Sequence, residues 1–243
     1  MIGRLLLQDI RFQYRHGFYY VYAFVTVVYI ALLLWVPLDA RPFWSVLIIF
    51  TDPGTFGFFF VGTIIMLERN QQLLTYLFVT PAKLWHYLVA KIVSLTLIAL
   101  LTGLLIAFVS LGTSVSFLWL TLSLILCSLF FTSVGLIISP DAGSLNHFMF
   151  RAIVLMVVLF TPVLYYVDWL SWNFLQLTPT YSALFLLRVA VNGGVTEDGM
   201  SWLPIINHIV LLLGWSIIAF FLAYKRFYTF IIARTGDGKK VSI

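Results

Sequence analysis

Charged side chains are scarce. Asp, Glu, Lys and Arg make up 9% of the 243 residues, against about a quarter in an ordinary soluble domain. A chain so poor in charge cannot present most of its surface to water, which excludes a sizeable soluble domain. Cysteine occurs once, at Cys127 inside an apolar run, so no internal disulfide framework exists and packing is its expected role. Signatures of catalysis are missing too. There is no G-x-x-x-x-G-K-[ST]; the nearest fragment, Gly236-Asp237-Gly238-Lys239-Lys240, lacks the upstream glycine spacing and the strand-helix context. The chain is therefore not expected to hydrolyse ATP alone. H-E-x-x-H, G-x-S-x-G and C-x-x-C are absent, and His16, His86, His147 and His208 are scattered near expected span ends. Neither a metal site nor an intramembrane hydrolase is indicated.

Apolar residues fill the space that charge leaves: 62% of the chain, with a mean hydropathy of +1.05. Crossing hydrocarbon takes about 20 apolar residues as a helix. Six runs qualify, at Phe18 to Leu38, Phe43 to Leu67, Leu88 to Ser110, Val115 to Ser139, Ala152 to Val167 and Leu203 to Tyr224. The expected fold is all-α integral membrane, a single transmembrane domain over 1–243. The first run lacks a small-residue cleavage site behind it, so it is expected to remain as a span. An even number of spans places both termini on one side, and the Lys/Arg distribution says which. Of 14 Lys and Arg, only Arg41 and Arg188 fall on the outer side of an arrangement with both termini cytoplasmic. Trp35, Trp44, Trp85, Trp169, Trp172 and Trp202 fall near the expected interfaces as anchors.

Between the spans the sequence carries local structure. Residues 1–16 alternate Leu5, Leu6, Ile10 and Phe12 with Arg4, Gln8, Asp9, Arg11 and Arg15, the pattern of an amphipathic helix in the headgroup layer. Thr51-Asp52-Pro53-Gly54 interrupts the second run, and a restart with Asp52 as N-cap and Pro53 as first helical residue is expected. Pro42 to Thr51 would then form a separate segment; the other reading is one helix kinked at Pro53. Residues 168–202 are long for a connection. Within them Thr178-Pro179 starts a helix too short to span, ending at Asn192-Gly193-Gly194, which fits an outer re-entrant half-helix.

The stretch Leu67 to Lys91, LERNQQLLTYLFVTPAKLWHYLVAK, joins two spans on the expected cytoplasmic side. Asn70 caps a short helix whose Leu73, Leu74, Leu77 and Phe78 line one apolar stripe. Thr80-Pro81 caps the next helix, which runs through Lys91 into the membrane. Read physically, this is a short amphipathic helix held between two spans, suited either to passing force from a cytoplasmic partner or to resting on headgroups.

These residues resemble the permease subunits of type-2 ABC exporters, in particular drug or fluoroquinolone export permeases, over nearly the whole chain. The features that carry the resemblance come in order: an amphipathic N-terminal helix, Asp52-Pro53 in the second helix and Glu68-Arg69 closing it, Leu77-Phe78-Val79-Thr80-Pro81 before a helix bearing Lys91, and Pro179, Tyr181 and Arg188 late in the chain. The resemblance implies a separate cytoplasmic ATPase that binds ATP and Mg and docks on a coupling helix at 70–81, touching Glu68, Arg69, Leu73, Leu74, Leu77, Phe78, Thr80 and Pro81. It also implies a second permease, identical or not, and no cofactor in this chain. Membrane lipids are the other expected partner; nothing points to nucleic acid.

For the pathway and its outer gate the candidates are Asp52, Pro53, Phe56, Phe59, Pro179, Tyr181 and Arg188. Asp52 is read either as a helix cap or as a contact for a cationic substrate, Phe56 and Phe59 as packing or as pathway lining. Arg188 is read as pairing with Asp52, Asp168, Glu197 or Asp198 or, in preference, as snorkelling to outer headgroups, and Lys91 as a snorkelling anchor in preference to a substrate ligand. The expected function is ATP-driven outward movement of a lipophilic or amphipathic compound, whether drug, lipid or peptide, across a bacterial-type plasma membrane. An ATP-independent channel or carrier, or an intramembrane enzyme, is the competing reading.

Overall fold

The fold is taken from a computed structural model that describes residues 2–71, 83–195 and 202–238, with side chains described as far as 231. Eight helices of more than one turn appear among the described residues: α1 (Ile2–Arg15), α2 (Phe18–Trp35), α3 (Arg41–Asn70), α4 (Leu84–Leu111), α5 (Phe117–Ile138), α6 (Leu145–Tyr166), α7 (Pro179–Val191) and α8 (Trp202–Gly238). All but α1 and the 13-residue α7 are long and apolar enough to cross a membrane. The chain is an all-α, multi-pass membrane protein. Helices are imposed by the solvent, because hydrocarbon cannot satisfy backbone N–H and C=O groups left open.

α5 runs through the middle and packs against α3, α4, α7 and α8. Its buried residues mix large apolar side chains, among them Leu124, Phe130 and Phe131, with small and hydroxyl ones, Ser123, Cys127, Ser128, Thr132, Ser133 and Gly135, and the small ones let neighbouring backbones approach closely. Ser123 and Ser133 donate to the carbonyls of Trp119 and Leu129. Thr96 of α4 reaches Ser128 Oγ at 2.9 Å, a hydrogen bond between helices. In contrast α2, α6 and α8 turn apolar faces outward, including Phe24 and Val27, Val157 and Val158, and Val210 and Phe221. Such faces are ordinary against lipid, which is as apolar as they are.

Two span boundaries differ from the hydropathy reading. The fifth span begins at Leu145, not Ala152, because Ser144 caps it and accepts from His147 N at 3.3 Å. Its first turns are polar, so hydropathy undercounts them. The second span does not restart at Pro53. Arg41–Thr51, Asp52–Gly57 and Phe58–Asn70 form one uninterrupted helix whose middle segment is π-helical. Asp52 has helical dihedrals (φ −65°, ψ −65°) and caps nothing. Proline within an α-helix clashes with the preceding turn and lacks an N–H to donate; a wider π turn relieves both while α4 and α5 hold the flanks in line.

Within the described part of the 168–202 connection, the short helix starts and stops where Thr178-Pro179 and Asn192 indicate. Thr178 caps α7 by accepting from Tyr181 N at 3.4 Å, Pro179 is its first residue, and Asn192 follows its last. Gly193 (φ 74°) and Gly194 (φ 93°) then take left-handed conformations that side chains rarely adopt. α7 is buried along most of its length, at the end of the bundle opposite the chain termini.

Close approach of α3 and α5 rests on Gly135. A methyl group there would fall 2.5 Å from the Phe58 carbonyl oxygen, which is backbone and cannot step aside. Gly135→Ala is expected to destabilise the purified protein by roughly 1–3 kcal/mol, read as a lower Tm. Gly214→Ala, with nothing within 4 Å of the added methyl, should leave Tm unchanged. Equal Tm values for the two variants would contradict this packing.

Candidate functional site

Polar side chains gather at two places inside the bundle. The first is at the end that holds both termini. Its centre is Lys91 on α4, 2% exposed, whose Nζ donates to Glu68 Oε1 on α3 at 2.5 Å and to Asp9 Oδ1 on α1. Tyr87, one turn before Lys91, donates to Glu68 Oε2 at 2.5 Å. Ser94, one turn after, contacts Asp9 Oδ2, and Gln13 Nε2 reaches both Asp9 Oδ2 (2.9 Å) and Ser94 Oγ (2.8 Å). The Lys91 ammonium also lies 5.3 Å from the Tyr87 ring and 5.8 Å from the Phe12 ring. Two buried carboxyls thus share one ammonium, and hydroxyl and amide donors supply the rest. Burial of this kind requires close pairing, because an isolated charge in an apolar interior costs several kcal/mol or more.

The snorkelling reading of Lys91 is overturned here: the side chain turns inward to two acids and does not extend to headgroups. The helix α1 likewise turns Asp9 and Gln13 into the bundle and leaves Leu7 and Tyr14 exposed. Beside this cluster Arg69 donates to the carbonyls of Pro140 (3.3 Å) and Gly143 (3.2 Å) between α5 and α6. Arg226 of α8 pairs with Asp141 at 2.8 Å on the surface. Segment 72–82 is therefore flanked by anchored residues, Glu68 and Arg69 before it, Tyr87 and Lys91 after it. Leu73, Leu74, Leu77, Phe78, Thr80 and Pro81 lie outside the described residues.

The second gathering is the π turn. Asp52 is 2% exposed; Oδ2 contacts the Thr102 hydroxyl of α4, and Oδ1 has no hydrogen-bond partner. Pro53, Gly54 and Gly57 are buried with it. Phe56 is half-buried, its ring 6.0 Å from Tyr22, 6.5 Å from Tyr29 and 5.6 Å from Phe60. Phe59, also half-buried, packs edge-on against Phe58 at 5.4 Å. Thr51 Oγ1 donates to Tyr29 OH at 3.0 Å, while Tyr22 OH and Thr132 Oγ1 are buried without partners.

At the far end Tyr181 stacks edge-on with Tyr165 (5.3 Å) and His208 (5.6 Å), and Arg188 lies over the Tyr166 ring at 5.6 Å. Arg188 does not reach toward Asp52. Arg41 joins the α2–α3 turn to the end of α4 through the carbonyls of Leu34, Val36 and Ser110. Among the described residues no group of His, Cys, Asp or Glu is arranged to hold a metal ion.

The fluoroquinolones export permease protein family has a model that matches residues 2–235. The chain belongs to this family. Two relatives, both named fluoroquinolones export permease protein, from Mycobacterium tuberculosis strains CDC 1551 / Oshkosh and ATCC 25618 / H37Rv, are each 30% identical over 183 residues, covering 75% of this chain and 77% of theirs. No solved structure gives a significant match. By its family this chain is an export permease.

Family likeness draws attention to Glu68, Arg69 and Asp52, and the structure gives each of them buried or anchored partners. Asp9, Gln13, Tyr87, Ser94, Thr102 and Tyr22 of this permease escaped the sequence reading. A signal existed for two, Tyr87 and Ser94, which share a face with Lys91. Tyr87, Lys91 and Ser94 stand at i, i+4 and i+7 on an otherwise apolar helix, the spacing of one helical face.

Removing one member of a buried charge set leaves the others uncompensated. Lys91→Met is expected to destabilise the permease by roughly 3–5 kcal/mol, read as a large drop in Tm. Asp9→Asn, which keeps a polar side chain and leaves one carboxyl for the ammonium, should cost clearly less. A Lys91→Met protein as stable as the parent would show that the two acids do not depend on the ammonium.

Proposed function

We propose that this permease is the membrane half of an ATP-driven exporter: a separate cytoplasmic ATPase docks on residues 70–81, and two permease chains enclose the pathway. The observation that carries this reading is the pairing of Glu68 with Tyr87 and Lys91. It ties together the two ends of the segment that would receive the ATPase, so that segment cannot move without moving the bases of α3 and α4. Nucleotide binding in the partner would shift the population between inward-open and outward-open arrangements, by as much as the partner's affinity differs between them. The cargo is an amphipathic drug-like compound, in line with the name that the relatives carry, and the termini are cytoplasmic by the excess of Lys and Arg on their side.

An ATP-independent carrier is the competing reading. Carriers commonly show paired broken helices in two matching halves; among the described residues only α3 carries a π segment, and no counterpart pairs with it.

Purified alone, the chain should show no ATPase activity. With its cognate ATPase it should form a complex whose hydrolysis is coupled to transport. Interface anchors cost about 2 kcal/mol or more when truncated, about 30-fold in affinity, so Leu77→Ala with Phe78→Ala should weaken assembly or uncouple hydrolysis. A double mutant that assembles, hydrolyses and transports like the parent would remove the coupling role of this segment.

Orientation has its own test. In a Cys127→Ser background, single cysteines at Asp39 and Asp198 should react with an impermeant maleimide on intact cells, and cysteines at Asn70 and Ser144 should not. Labelling at Asn70 would reverse the topology.

A further inference from the structure

The geometry points to Asp52 as a proton-binding site in the middle of the membrane, loaded and unloaded as the permease changes conformation. The case rests on where the hydrogens are. Thr102 has one hydroxyl proton, and its Oγ1 stands 3.0 Å from the Ile98 carbonyl and 3.2 Å from the Ala99 carbonyl, the usual acceptors for a helical threonine. The same hydroxyl also donates to Asp52 Oδ2, so a carboxylate there would share that single proton with two backbone carbonyls. Oδ1 faces no donor at all. A carboxylate here would hold its charge in an apolar core with one contested contact; a carboxylic acid satisfies the arrangement by itself.

Nor does any neighbour offer a counter-charge. Among the described residues the groups that face Asp52 are Tyr22 and Tyr29 from α2, Cys127 from α5 and Thr102 from α4; Thr132 of α5 stands near Gly57, and Phe160 of α6 packs against Gly54. None is a cation. The one buried ammonium, Lys91, is eleven residues along α4, about 16 Å away at 1.5 Å per residue, and is held by two other acids. An ionisable residue kept at membrane depth without a partner is a functional candidate by default. Burial this complete admits a proton where it admits no larger ligand. A π turn is the element to change such a site, because it converts between two hydrogen-bond registers locally. The step is a simple exchange: Asp52 carboxylate accepts H+ from water to give the neutral acid, and returns it to water when the site opens.

The binding half stands without the export reading; the exchange half rests on it, and the two are tested apart. Infrared spectra of the purified permease in lipid, recorded near neutral pH in H2O and D2O, should contain a carboxylic-acid C=O band that shifts on deuteration. Asp52→Asn should abolish it and Asp9→Asn should retain it. Should Asp52→Asn fail to fold, Thr102→Val serves instead: it keeps the acid but removes the hydroxyl partner, so the band should persist at shifted frequency. No such band in the parent, or one that Asp52→Asn and Thr102→Val leave unaltered, overturns proton binding. For exchange, export by the reconstituted complex should vary with pH in the parent and lose that dependence in Asp52→Asn. Parent export that is flat with pH, with the band present, overturns exchange and leaves a buried structural acid.

Discussion

Hydrocarbon solvates neither a backbone amide nor a charge, and in this chain that constraint reaches beyond the choice of helices. Every ionisable group carried into the bundle has to find its partners there. Asp9, Glu68 and Lys91 come from three helices and meet in one network with Tyr87, Ser94 and Gln13. Because none of them is tolerable alone, the network fixes the register of α1 and α3 against α4 more strictly than apolar packing does. Leucines facing lipid or each other can slide; a buried ammonium between two carboxyls cannot. The surface pair of Arg226 and Asp141, exposed to solvent, contributes little by comparison.

The π turn follows from the same solvent. An Asp-Pro-Gly sequence in a water-soluble protein would end one helix and begin another, with water satisfying the freed carbonyls. In a membrane the break would expose those groups to a medium with nothing to offer, so the helix widens by one residue per turn and continues. Packing is close at Gly54, where the Phe50 and Phe160 rings stand 3.3 and 3.4 Å from where a methyl would be, and looser at Gly57, where Thr132 Oγ1 would lie 3.5 Å away. Reading Asp52 as a cap applied the rule of aqueous helices to a place without water.

Hydropathy and the distribution of Lys and Arg carry the architecture, which is why six spans, an amphipathic first helix and a short helix after Thr178-Pro179 are legible in the sequence. What stays hidden is pairing at long range. Lys91 and Asp9 are separated by 82 residues, Thr102 and Asp52 by 50, and no local pattern assigns one to the other. A lysine near a helix end looks like a snorkelling anchor when its helix is considered alone. The polar stripe of Tyr87, Lys91 and Ser94 on a mostly apolar helix, set beside Asp9 and Gln13 at i and i+4 on the amphipathic α1, is the trace that the pairing leaves.

Both polar sites meet on one rigid element. Lys91 and Thr102 lie on the same unbroken helix α4, about three turns apart, while their partners Glu68 and Asp52 lie at the two ends of the lower half of α3, from the π turn to its base. The two helices are therefore pinned together twice, once by charge and once by a hydroxyl, with segment 72–82 joining them below. On the proposed docking at 70–81, a load applied to that segment would meet the stronger pin first. The charged cluster, with three helices and two acids on one ammonium, would then carry α4 along as a unit. The weaker pin, a single contact with Thr102 at a turn that already departs from α-helical register, is where relative motion of α3 and α4 would be absorbed. On that reading, movement at the base of the bundle would reach the buried carboxyl of Asp52 through the stiffness of α4.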